Sequence, residues 1–137
     1  MKNSISYEIN KTISTDQYIA LLKKCSLGER RPIHDNSAIQ SMLDHANLTA
    51  SAWYEEKLIG IARCWTDYAY VTYLSDLAVN EDFQGKGIGT ELIRSVQSQI
   101  LPSCRILLFA APTANDYYPK LGFESNTRGW VLNHPLS

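Results

Sequence analysis

Apolar and polar residues alternate over residues 6–13, which predicts a strand. Ser14, Thr15, Asp16 and Gln17 then have the spacing of a capping box, opening a helix that carries Ile19, Leu22 and Cys25 on one face and that Gly28 can end. After the polar connection 29–32, Asp35 can cap a second helix whose Ile39, Met42, Leu43 and Ala46 share a face. Residues 48–55 and 58–65 read as a hairpin turning about Glu56 and Lys57, and residues 70–79 as a longer strand.

The period lengthens over residues 87–100. Ile88, Leu92, Ile93, Val96 and Ile100 form a helical stripe, and Pro102 follows as a stop. Residues 105–111 run apolar after a single charge, as expected of a strand covered on both faces. A short helix over 116–121 and a last strand near Trp130, Val131 and Leu132 complete an α/β pattern with an antiparallel middle.

Length and composition narrow the possibilities. A chain of 137 residues without repeat or linker has room for one core, so residues 1–137 are read as a single domain. Thirteen basic residues against fourteen acidic ones leave a net charge of -1, which offers no general attraction to nucleic acid or to an anionic membrane. Any anion site must be local. The first residues carry no apolar leader and no long apolar run follows, so the expected location is cytoplasmic. Cys25, Cys64 and Cys104 are widely spaced and odd in number, and His34, His45 and His134 are isolated, so reduced thiols and no metal site are expected.

The local anion site is legible at residues 84–90, where Gln84, Gly85, Lys86, Gly87, Ile88, Gly89 and Thr90 join the long strand to the amphipathic helix. Glycines let backbone N–H groups converge, and the first turn of the helix adds free donors and a positive dipole end. Three cofactor loops compete for this stretch. A Walker loop needs Ser or Thr after the lysine, whereas Gly87 follows Lys86; a dinucleotide fingerprint needs glycine where Thr90 stands.

The third pattern is Gln or Arg, two residues, Gly, any residue, then Gly or Ala. Gln84, Gly87 and Gly89 match it in register, and Tyr118, Pro119, Lys120, Leu121, Gly122 and Phe123 supply a later mark. On these residues and on element order, the chain resembles the GNAT acetyltransferases over essentially its whole length. The resemblance implies a mixed, mostly antiparallel sheet of six to seven strands, about four flanking helices and a splayed central strand pair.

It also implies transfer of an acetyl group from acetyl-CoA to a primary amine of a small molecule or peptide, by direct attack in a ternary complex. A non-catalytic acyl-CoA sensor is the alternative. Main-chain groups of Leu77, Ala78 and Val79 would hold the pantetheine arm, Gly85 to Thr90 the pyrophosphate, and Asn115 would contact CoA or cap the short helix. Tyr118 is the implied general acid, with Tyr117 and Tyr118 dividing the catalytic and packing roles between them. The general base is open among Asp76, Tyr73 and His34. Acceptor choice falls to the loops holding Arg30 and Arg31, which suit a carboxylate-bearing acceptor, and Trp65, Tyr68 and Tyr70, which suit a flat one. A homodimer is possible, with Trp130 facing either a partner or the core.

Overall fold

The computed structural model of the protein describes residues 4–136. Strand β1 (Ile5–Ile9) ends earlier than its apolar alternation suggests. Asn10 turns into the left-handed region (φ 57°), and its side-chain oxygen accepts the Thr49 N–H at 2.8 Å, closing the strand. Helix α1 (Thr15–Lys23) opens on the full capping box between Ser14 and Gln17. It stops at Lys23, so Cys25 lies beyond it and Gly28 falls within the following 3-10 turn (Ser26–Arg30) instead of capping the helix. Asp35 caps α2 (Asn36–His45) by accepting the Ala38 N–H.

Strands β2 (Leu48–Tyr54), β3 (Lys57–Thr66) and β4 (Val71–Val79) form a meander, β1 lies against β2, and β5 (Arg105–Leu107) lies parallel to β4. Helix α3 (Ile88–Gln97) crosses from β4 to β5. Leu92 and Val96 on its buried stripe pack with Leu48, Ala52 and Ala62 of the sheet. The opposite sheet face packs Trp53, Leu58 and Ile61 against Tyr18, Leu21 and Leu22 of α1 and Ile39 of α2. Helix α4 (Tyr117–Lys120) follows a short 3-10 turn. Pro119 falls in the first turn of α4, where its missing N–H deprives no carbonyl of a partner.

The described residues form five strands rather than six to seven. Two segments account for the difference. The apolar run 105–111 pairs only through Arg105–Leu107, and only with β4; Ile106 and Leu108 pack on the core while Leu107 and Phe109 are exposed, so it is covered on one face and not on both. Residues 130–132 find no neighbouring strand and stay irregular, with Trp130 89% exposed, so Trp130 is not a core residue.

Two irregularities of β4 matter for function. Arg63 pairs with Asp76 but Cys64 pairs with Leu74, so Ser75 is an extra residue, a bulge that turns Asp76 and Ala78 toward the α1 and α2 side. Pairing with β5 ends at Tyr73 and Leu107. β5 itself ends there, and among the described residues the main-chain edge of residues 74–79 has no ladder partner on the β5 side. At about 3.3 Å per residue this is about 20 Å of open edge.

Candidate active site

The open edge of β4 forms one wall of a cleft of about 480 Å³. Leu77, Ala78 and Val79 line it, and so do Gln84, Gly85, Gly87, Ile88, Gly89, Thr90 and Tyr118. The structure thus brings most of these sequence-picked residues to one cleft. Lys86 is exposed at the loop and Asn115 is exposed after the 3-10 turn; neither lines the cleft, and Asn115 does not cap α4, whose N-cap is Asp116.

The loop has its shape for residue-specific reasons. Gly85 (φ 80°) and Gly87 (φ 81°) are both left-handed, a region that costs any residue with a Cβ about 1 kcal/mol or more. A Cβ at either would meet nothing within 4 Å, so conformation and not space demands glycine there. The Gln84 amide donates to the Val79 carbonyl at 3.0 Å and ties the loop to the strand end. Gly87 is the N-cap of α3 and brings no capping side chain, and Gly87, Ile88, Gly89 and Thr90 all line the cleft, so the first turn of α3 lies beside it without a side-chain cap on its N–H groups.

Gly89 is needed for a different reason. A Cβ there would lie 2.8 Å from the Tyr117 hydroxyl, which also bonds Thr90 Oγ1 at 3.2 Å. Tyr117 therefore packs α4 onto α3. Tyr118 lies edge-on to Tyr117 (5.2 Å) and to Phe123 (5.4 Å), which fixes its ring at the cleft. Burial, reinforced by the neighbouring Tyr117, pushes the Tyr118 hydroxyl above its ordinary range, so it is protonated at neutral pH and able to give a proton.

The remaining wall comes from the connection between α1 and α2, through Cys25, Ser26 and Leu27, which no local signal in the sequence tied to the glycine loop. Phe83, Thr113, Ala114 and Tyr117 complete the lining. Burial pushes the Cys25 thiol up, which makes it a poor nucleophile.

Asp76 does not line the cleft. It is 1% exposed and accepts from three side chains: Arg63 Nε at 2.6 Å, Arg31 Nε at 2.7 Å and the Tyr18 hydroxyl. Burial alone would raise its pKa, but the hydrogen bond and charge of Arg63, then the charge of Arg31 and the Tyr18 bond, outweigh it and hold the carboxyl below the usual range. Arg31 is thereby engaged with Asp76 and turned from solvent, whereas Arg30 is exposed. Tyr73 is 38% exposed beside Phe109, His34 is an exposed loop residue, and Trp65, Tyr68 and Tyr70 are exposed; none lines the cleft. No group of metal-ligating residues occurs among the described residues, and no helix is long and apolar enough to cross a membrane.

Comparison with known proteins gives these features a context. A sequence model of the acetyltransferase (GNAT) domain matches residues 24–131. The uncharacterized N-acetyltransferase ycf52 of Gracilaria tenuistipitata var. liui is 32% identical over 132 residues, covering 88% of this chain and 71% of that protein. The chloroplastic GCN5-related N-acetyltransferase 2 of Arabidopsis thaliana is 36% identical over 77 residues, 55% of this chain and 30% of that protein. Among solved structures, the aminoglycoside N-acetyltransferase AAC(6')-Iy in complex with CoA superposes with a TM-score of 0.72 at 18% identity, covering 99% of this chain and 98% of that one. At that identity the likeness is one of fold.

Proposed function

Because this chain belongs to the GNAT acetyltransferase family, we propose that it transfers the acetyl group of acetyl-CoA to a primary amine of a small molecule or peptide, by direct attack in a ternary complex. The observation that carries this reading is the continuity of the open β4 edge with the glycine loop. The β4 edge over residues 74–79, which no strand pairs with on the β5 side, runs directly into the left-handed Gly85 and Gly87 and the start of α3, which has no side-chain cap. An extended, amide-bearing arm ending in a pyrophosphate matches that sequence of donors and acceptors.

Bound acetyl-CoA supplies the thioester whose acyl carbon the amine attacks. The chain's own groups position and polarise. Main-chain groups of Leu77 and Val79 act as strand partners for the pantetheine amides, and a β4 N–H polarises the acyl oxygen as negative charge develops there. Residues 84–90 hold the pyrophosphate. As the carbon–sulfur bond breaks, Tyr118 gives its proton to the sulfur, and the amine proton leaves through water.

Asp76 was a candidate base, but its lowered pKa and its two arginine partners fit a positioning role instead. The three free cysteines suit a reducing compartment such as the cytoplasm.

Thermal shift with CoA, acetyl-CoA, ATP and NAD tests the donor. A ligand at one hundred times its Kd stabilises by about 2.7 kcal/mol, and CoA and acetyl-CoA alone should do so. Absence of stabilisation by CoA overturns the reading. Thiol release with a panel of small amines and peptides then tests turnover. Tight acetyl-CoA binding without thiol release from any amine would favour the acyl-CoA sensor.

A further inference from the structure

The segment between α1 and α2 is fastened to β4 at both ends of the open edge. At one end the Lys24 carbonyl accepts the Glu81 N–H at 2.8 Å, just past the end of β4. At the other, the Arg31 guanidinium reaches two points at once: Nε donates to Asp76 Oδ1 and Nη2 donates to the Ser75 carbonyl, both at 2.7 Å. Between these anchors Cys25, Ser26 and Leu27 form the cleft wall that faces Leu77 and Val79.

The anchor at Ser75 lies on the bulge itself. Arg63 supports the same residue from the sheet side, donating from Nη2 to the Ser75 hydroxyl at 3.1 Å and from Nε to Asp76. Asp76 sits deeply buried between the two arginines, so its geometry leaves little freedom. Of the groups on the bulge, only Arg31 comes from the connecting segment. It is also the more accessible arginine, at 19% side-chain exposure against 4% for Arg63. A planar guanidinium can hold a carboxylate and a carbonyl together in fixed geometry, which an ammonium cannot.

We infer that Arg31 is a positioning residue for acyl transfer: by clamping the segment 24–31 to the β4 bulge, it sets the gap between that segment and Leu77 to Val79 in which the acyl group must lie. The inference rests on the acetyl-CoA reading above. Acetyl-CoA and CoA share the pyrophosphate and the pantetheine arm and differ only in the acyl group. A change in this gap weakens both through the pantetheine contacts at Leu77 and Val79 but acetyl-CoA more, so it alters their affinity ratio while leaving the grip of residues 84–90 on the pyrophosphate intact.

The test compares wild type with Arg31→Gln and Arg31→Lys by amide hydrogen exchange without ligand and by calorimetric titration of CoA and acetyl-CoA. In Arg31→Gln, amides of both 25–31 and 75–79 should exchange about tenfold faster or more. The acetyl-CoA to CoA affinity ratio should shift about fivefold or more, with CoA, which lacks the acyl group, losing less affinity than acetyl-CoA. Arg31→Lys, which keeps the charge but loses the fork, should fall between, and it serves if the glutamine variant does not fold. A lowered Tm with unchanged exchange over 75–79 and an unchanged affinity ratio would make Arg31 merely structural and overturn the inference. Exchange is measured without ligand, so it decides the clamp even if wild type binds neither CoA nor acetyl-CoA, the result that would overturn the donor assignment instead.

Discussion

Replacing Gly89 by alanine separates a steric requirement from a conformational one. Gly89 is the second residue of α3 and, unlike Gly85 and Gly87, is not left-handed, so alanine suits its backbone. Helix propensity favours the change by up to about 1 kcal/mol. Against it, the new methyl would lie 2.8 Å from the Tyr117 hydroxyl, so that hydroxyl must move by several tenths of an ångström. The movement breaks its 3.2 Å bond to Thr90, at a cost of about 0.5–1.5 kcal/mol. In the wild-type background the two effects oppose each other, leaving a change between about 0.5 kcal/mol of stabilisation and about 1.5 kcal/mol of destabilisation.

In a Tyr117→Phe background neither the oxygen nor the hydrogen bond exists. There Gly89→Ala should stabilise by up to about 1 kcal/mol, giving a coupling between the two sites of about 1 kcal/mol by urea unfolding of all four proteins. An effect of Gly89→Ala that is the same in both backgrounds would refute the contact as the reason for glycine. The contact also bears on the site, because Tyr117 carries α4 and hence Tyr118. Single-variant Gly89→Ala should therefore lower thiol release, and Tyr117→Phe should restore part of it.

Three further outcomes follow from particular contacts. Tyr118→Phe should lower turnover more than about tenfold while acetyl-CoA affinity holds within about twofold, measured by thiol release and calorimetry; unchanged turnover removes Tyr118 from proton transfer. Asp76→Asn leaves two arginines without their carboxylate and should cost about 3–5 kcal/mol at pH 7. Because folding lowers the Asp76 pKa, the wild-type advantage is present above the unfolded value near about 3.9 and is lost as pH falls through the folded value, so the urea-midpoint gap should close in acid; a gap constant with pH contradicts the ion pairing. Leu92→Ala, at a site with no solvent exposure between α3 and the sheet, should cost about 2–5 kcal/mol in urea unfolding without changing the affinity of the remaining folded protein for CoA.

The elements that could be read from the sequence were those whose signal is local. The capping box at Ser14, the cap at Asp35 and the stripe of α3 each lie within a few residues, and each appears where the pattern puts it, except that α3 ends at Gln97 and leaves Ile100 beyond the helix. The run 105–111 failed because apolarity reports what a face can bury and not whether a neighbour arrives to cover it. Ile106 and Leu108 do pack against the core, but Leu107 and Phe109 point outward from the same run, so a period of two was hidden by both faces being apolar. Trp130, Val131 and Leu132 failed for a related reason: strand formers make a strand only where an edge is free to pair, and β5 ends at Leu107.

The same division runs through the site. Gly85 and Gly87 could be found because a positive φ is a demand on residue type, visible in the letter itself. The clamp on Ser75 and Asp76 could not, because its partners Tyr18, Arg31 and Arg63 stand 58, 45 and 13 positions from Asp76 and meet only through the fold. Alternation along β4 could not have revealed it either. The more apolar parity of the strand is Val71, Tyr73, Leu77 and Val79, which leaves Asp76 on the opposite, solvent-like parity. The bulge at Ser75 separates Leu74, packed on the α3 side, from Asp76 and Ala78 on the α1 and α2 side, so the acid is buried by an irregularity that no period of two contains. Once buried there it had to find cations, and a carboxylate so held is a weak base.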